Sequence, residues 1–105
     1  MKMIKAIIRP EKEFDVVHGL EQKGFYSLTK LDVLGRGRQK GVQVGSATYD
    51  ELAKLMLMIV VEDKDTANVI QIIHRHAQTG NFGDGKIFVS EIKEAYTIRT
   101  GKNKL

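Results

Sequence analysis

The stretch "LMLMIVV", Leu55 to Val61, decides the fold. It is apolar without interruption between Lys54 and Glu62, so it reads as a strand that must be covered on both faces. Downstream, "EDKDTANVIQIIHRHAQTG" (62–80) reads as a helix with Asp65 or Thr66 near its cap, a stripe through Val69, Ile70, Ile73 and Ala77, and Gly80 past its end. "KIFVSEI" (86–92) is the strand that follows. Upstream the pattern repeats. Met3 to Ile8 is an Ile-rich strand ended by Arg9-Pro10, and "EKEFDVVHGLEQKG" (11–24) is a helix with Phe14, Val17 and Leu20 roughly on one face and Gly24 as its left-handed stop. In "FYSLTKLDVLG" (25–35) Thr29, Leu31 and Val33 share one face, while Leu28, Lys30, Asp32 and Leu34 share the other.

The order strand, helix, strand, loop, strand, helix, strand predicts an α+β fold. It is a ferredoxin-like double βαβ sandwich, with a four-stranded antiparallel sheet and two helices on one face. The helices leave the other sheet face bare. Because Leu55–Val61 is apolar on both faces, that bare side is expected to be buried against further copies of the chain. The tail "AYTIRTGKNKL" (95–105) reads as a short extended piece followed by a frayed basic end. At 105 residues, residues 1–105 form one domain with a mobile loop at about 36–50. The start lacks a signal peptide and no run is long enough to span a membrane, so a cytoplasmic protein without stable membrane association is expected. Cysteine is absent, which excludes disulfides, thiolate metal sites and cysteine nucleophiles. A net charge of +4 suits an anionic partner without choosing one.

Two glycine-rich stretches carry the chemistry. "LGRGRQKGVQVG" (34–45) combines Gly35, Gly37, Gly41 and Gly45 with Arg36, Arg38 and Lys40, a composition suited to phosphate or carboxylate. Its spacing is neither the dinucleotide fingerprint nor a Walker loop, and a hairpin loop with no ligand explains it equally well. "TGNFGDGKIF" (79–88) places Gly80, Gly83 and Gly85 around Asp84 and ends in Lys86 at a strand entrance. That is either a phosphate cradle or a tight helix-to-strand connection. In "TIRTG" (97–101), Arg99 with Thr97 and Thr100 offers an anion clamp, or a solvated terminus. His74 and His76 are two apart on a helix and cannot face one metal, and with His18 they read as surface histidines. Ser27, Ser46 and Ser90 lack an elbow motif or a nearby histidine and acid arrangement, so serine hydrolysis is not expected and no catalytic constellation emerges.

Taken in this order, "GRGRQKG", "TGNFGDGKIFV" and "YTIRTG" resemble the PII family of nitrogen-regulatory signal transduction proteins across essentially the whole chain. The resemblance implies a homotrimer that is a sensor and not an enzyme, with ATP or ADP in clefts between subunits and 2-oxoglutarate bound beside MgATP. Carried over by position, Gly35, Gly37 and Arg38 help hold the nucleotide, and Gln39 reaches both Mg2+ and 2-oxoglutarate. The backbone around Lys40 and Gly41 completes the acid's site, and Lys54 pairs with its distal carboxylate. Gly83, Asp84, Gly85 and Lys86 match the phosphate loop, Ile7 and Thr29 lie near base and ribose, and Arg99 matches one of two arginines on the terminal phosphates. Thr97 stands in place of the second arginine and Met58 in place of a common glutamate.

The loop before "ELAK" is shorter than in the usual bacterial members and lacks their tyrosine-modification segment, with Tyr49 out of register, which argues against uridylylation. That wording is most similar to the nitrogenase-associated branch of methanogenic archaea and anaerobic bacteria. It implies a target protein, dinitrogenase, inhibited when 2-oxoglutarate is low, with a second PII-like chain as a further partner. An ammonium transporter or glutamine synthetase is the alternative target. An RNA-binding ferredoxin-like domain is the rival from another class, since "GKIFVSEI" resembles an RNP segment. The central strand offers "LMLMIVV" where base stacking needs aromatics, so no nucleic acid partner is expected. A nucleotide hydrolase lacks an evident water-positioning residue.

Overall fold

The computed structural model describes residues 1–36, 42–44, 47–49 and 51–105. Four strands form one antiparallel sheet: β1 (Lys2–Ile8), β2 (Thr29–Gly35), β5 (Leu52–Val61) and β6 (Gly85–Glu91), in the order β2-β5-β1-β6. Between β2 and β5, the short strands β3 (Val42–Val44) and β4 (Ala47–Tyr49) pair only with each other, Val42 opposite Tyr49. The sequence pattern treated that stretch as loop; the expected loop residues 37–41, 45–46 and 50 lie outside the described residues. Helices α1 (Glu13–Gln22) and α2 (Thr66–Ala77) pack on one sheet face, each entered through a single 3-10 turn. Among the described residues no helix is long and apolar enough to cross a membrane.

Burial alternates along β5. Leu55, Leu57, Ile59 and Val61 are buried under the helices with Ile4, Ala6 and Ile8 of β1, and Val16, Leu20, Val69, Ile72, Ile73 and Ala77 close the core from above. The intervening Met56, Met58 and Val60 face the open side, where the register sets them beside Ile7, Lys5 and Met3 of β1, and sets Leu31 and Thr29 of β2 beside Met56 and Met58. The apolar run thus supplies both the core and an uncovered apolar face. Phe88, opposite Lys5, extends that face and is 52 % exposed.

Two expectations are corrected and a third is extended. Phe14 does not join the packed face of α1 but is 74 % exposed, stacked on His18 with ring centroids 5.6 Å apart. Two, five and six residues before Val16, Gly19 and Leu20, it lies about 120–160° around the helix from that buried face. On α2, Ile72 is buried in addition to the expected stripe. The tail is not frayed: Thr97 N–H donates to the Lys102 carbonyl (2.9 Å), Gly101 N–H to the Thr97 carbonyl (2.7 Å), and Tyr96 bridges Asn103. That turn holds Ile98 fully exposed at its tip.

β2 begins at Thr29, later than the sequence pattern has it, because the preceding residues finish α1. Gly24, at φ 87°, donates to the Glu21 carbonyl, and Phe25 N–H reaches the Leu20 carbonyl. This is the paired closure of a Schellman cap, which occupies the amide that would otherwise start a ladder.

Candidate functional site

The site is built at one end of the sheet by register alone. Ile8 pairs with Leu55 on one side and with Gly85 on the other. Just past these last pairs, Arg9 follows Ile8 and its Nε reaches the carboxylate of Asp84, the residue before Gly85 (3.0 Å), while Lys54 precedes Leu55 and is paired with Val33 of β2. Residues directly opposite one another share a face. Arg9, Lys54 and Asp84 therefore form a row across the open face, with Ile7 and its partner Lys86 in the row behind.

Asp84 closes the glycine-rich turn on itself. Its carboxylate accepts from the Thr79 N–H (2.8 Å), the Thr79 hydroxyl, the Gly80 N–H (2.9 Å) and Arg9 Nε (3.0 Å). Those donors, the Thr79 hydroxyl foremost and then the Thr79 amide, hold its carboxyl well below the usual carboxylate range. Arg9 also donates through Nη2 to the Phe82 carbonyl (2.8 Å), and Lys54 Nζ donates to the Gly83 carbonyl. Burial lowers the Lys54 amine below its ordinary value, and the adjacent Arg9 charge lowers it further. Lys54 is thus a cation held beside another cation with a carbonyl for a partner. Among the described residues it makes no ion pair.

Gly85 is required by geometry. Its φ is 111°, and a Cβ there would stand 1.7 Å from the Ile7 carbonyl oxygen, so any side chain would drive β6 off β1. Gly35 leaves room for the Lys54 stem, whose Cγ would lie 3.1 Å from an added Cβ. Between the end of α2 and the β1–β6 edge lies an open cleft of about 830 Å³, lined by Ile7, Ile73, His74, Phe82, Gly85 and Lys86 among others. Backbone amides beside a glycine turn, with Arg9, Lys54 and Lys86 close by, suit a polyanion.

Of the residues expected at a site, the structure brings together Ile7, Gly35, Lys54, Gly83, Asp84, Gly85 and Lys86. Thr29 stands apart: opposite Met58 on the far edge strand, it is three strand spacings, roughly 14 Å, from β6. Arg99 sits in the C-terminal turn, and among the described residues no hydrogen bond or ion pair joins it to the glycine turn. Gly37, Arg38, Gln39, Lys40 and Gly41 lie outside the described residues. Sequence reading missed Arg9, seen only as the strand end before Pro10, and Thr79. The signal for Thr79 was its spacing of five residues before Asp84, which suits a side chain folding back on nearby amides. The histidines separate as their spacing requires: His74 lines the cleft, whereas His76 is half-buried over Gly19 of α1 and is no simple surface residue.

The family model for nitrogen regulatory protein P-II matches residues 1–102. The chain is 57 % identical over 100 residues to nitrogen fixation nifHD region glnB-like protein 1 of Methanococcus maripaludis, covering 95 % of each chain. It is 56 % identical over 105 residues to nitrogen fixation nifHD2 region GlnB-like protein 1 of Methanosarcina barkeri, covering all of both chains. To nitrogen regulatory protein P-II 2 of Methanothermobacter thermautotrophicus it is 45 % identical over 107 aligned positions, covering 98 % of this chain and 93 % of the relative. A glycine turn tied to a cation row at the end of a four-stranded antiparallel sheet and a match along nearly the whole chain lead to one assignment: the chain belongs to the P-II family of nitrogen regulatory proteins.

Proposed function

We propose that this chain is a cytoplasmic, non-catalytic sensor that binds ATP or ADP together with 2-oxoglutarate and acts by gripping a target protein. The target is dinitrogenase, inhibited when 2-oxoglutarate is low. The observation that carries the reading is the cation row, with Lys54 and Arg9 side by side against a glycine turn and Lys86 behind them. The nifHD-region naming of the relatives supports the choice of target.

In this reading the turn from Gly83 to Lys86 holds the phosphates, and its fit rests on Gly85, whose position only glycine can occupy. Ile7 and Thr29 serve base and ribose, Gly35, Gly37 and Arg38 the nucleotide, and Arg99 the terminal phosphates. Lys54 takes the distal carboxylate of the diacid, exchanging a carbonyl partner for a charged one. Gln39 bridges Mg2+ and the acid, with the Lys40 and Gly41 backbone completing that site. Mg2+, where Gln39 holds it, would supply charge neutralisation. The separation of Thr29 from the turn within one chain supports a homotrimer whose clefts are shared between chains. So does the uncovered apolar face of Met56, Met58, Leu31 and Phe88. Diacid binding then selects one arrangement of the 36–50 segment; a preference of about 2 kcal/mol changes target affinity about thirtyfold.

Calorimetry of 2-oxoglutarate with and without MgATP, on wild type and Lys54→Ala, tests this. Acid binding that requires MgATP and disappears in the variant is the expected result. Wild-type protein that binds neither ligand refutes it. Adding the protein to dinitrogenase, with and without both ligands, separates that target from an ammonium transporter or glutamine synthetase.

A further inference from the structure

Three consecutive residues of the glycine turn present acceptors to two cations from other strands. The Phe82 carbonyl and the Asp84 carboxylate are held by Arg9, and the Gly83 carbonyl by Lys54. In a planar trans peptide the C=O and N–H of one unit point in opposite directions. Holding the carbonyls of residues 82 and 83 against Arg9 and Lys54 therefore turns the Gly83 N–H away from Arg9 and the Asp84 N–H away from Lys54. Among the described residues those two amides have no hydrogen-bond partner. Arg9 reaches both ends of this arrangement through separate nitrogens, Nε and Nη2, as only a rigid fork can. The turn lies tight on the guanidinium: a Cβ on Gly83 would come 3.3 Å from Nη2.

We infer that Arg9 is a positioning residue of the nucleotide site: it holds the 79–85 turn in the conformation that directs the Gly83 and Asp84 amides at phosphate. The inference rests on the nucleotide-binding reading above and assigns Arg9 a role exerted through the turn.

Hydrogen exchange of the Thr79 and Gly80 amides, with MgATP calorimetry, on full-length Arg9→Met, Arg9→Lys, Asp84→Asn and the double variant Arg9→Met/Asp84→Asn, tests it. Loss of two charge-assisted bonds predicts about tenfold faster exchange at Thr79 and Gly80 in Arg9→Met, with the Ile4 and Leu57 amides unchanged. MgATP binding weakens about tenfold. Arg9→Lys, which keeps the charge without the fork, shows an intermediate loss. Once Asp84→Asn has released the turn, Arg9→Met weakens binding by less than about threefold more, since groups acting through one another are not additive. Fully additive losses, or complete recovery in Arg9→Lys, would mean that Arg9 acts by its charge on the ligand and would overturn the positioning role. Wild-type protein that fails to bind MgATP refutes the nucleotide reading instead, and Arg9 is then judged on exchange alone: unchanged Thr79 and Gly80 rates overturn its role.

Discussion

Replacing Gly85 by alanine tests the geometry on which the site depends. The added Cβ meets the Ile7 carbonyl oxygen at 1.7 Å, and backbone contacts of that kind must open to at least 3.0 Å, so the start of β6 has to shift by about 1.3 Å. A non-glycine residue held at φ 111° carries strain of order 1–3 kcal/mol. The shift also breaks one or two β1–β6 ladder hydrogen bonds, worth about 1 kcal/mol each. Because β6 is an edge strand paired only with β1, part of the strain is relieved by fraying, which limits the total to about 2–4 kcal/mol. Gly24→Ala is the control. Gly24 has a comparable φ of 87° with nothing within 4 Å of the added atom, so its cost is about 1–2 kcal/mol of backbone strain alone. Urea unfolding followed by circular dichroism, at one fixed protein concentration because assembly would couple to stability, should rank Gly85→Ala below Gly24→Ala by at least about 1 kcal/mol. Equal midpoints for the two variants would refute the steric argument.

Gly19→Ala puts a Cβ 2.6 Å from the His76 ring, so the gain in helix propensity, about 1 kcal/mol, is reversed by displacement of that ring. In a His76→Ala background the same substitution should become stabilising in a urea melt, and no change of sign would exclude the contact. Asp84 is held below the ordinary carboxylate range, so its contribution is present above about pH 4 and is withdrawn as pH falls through its lowered value. Asp84→Asn should accordingly flatten the fall of the urea midpoint below about pH 4. A slope like that of wild type would show that the bonds from Thr79, Gly80 and Arg9 contribute nothing to stability. Leu31→Glu places a charge on the uncovered sheet face beside Met56, and sedimentation should find three chains in wild type and one in the variant. A wild type that sediments as a single chain ends the trimer proposal.

The fold was legible because both strand signals and helix stops are local. The apolar run at 55–61, the alternation through 29–34 and the positive-φ positions Gly24 and Gly80 are each set by neighbours in sequence. What escaped depends on position around an element or on contacts far along the chain. Phe14 is apolar, yet its place on the packed face was decided by where α2 crosses α1, at Gly19, which carries no side chain to signal it. The tail reads as frayed from its sequence for a similar reason. Its turn is closed by the Thr97 and Gly101 amides and by the Asn103 side-chain oxygen accepting from the Ala95 N–H, none of which hydropathy registers.

The site divides along the same line. Gly83, Asp84, Gly85 and Lys86 are contiguous and could be read as a unit, whereas Arg9 is separated from Asp84 by 75 residues and from Phe82 by 73. Only the register of β1 against β6 brings them into one row, and that register follows from which residues are apolar. Shifting β1 by one residue would turn Ile4, Ala6 and Ile8 out of the core, so the burial that fixes the sheet also fixes Arg9 beside Lys54 and Asp84. The placement of charge at the sheet end is therefore a consequence of core packing. A core substitution that let β1 slip would disable the site without touching any residue in it.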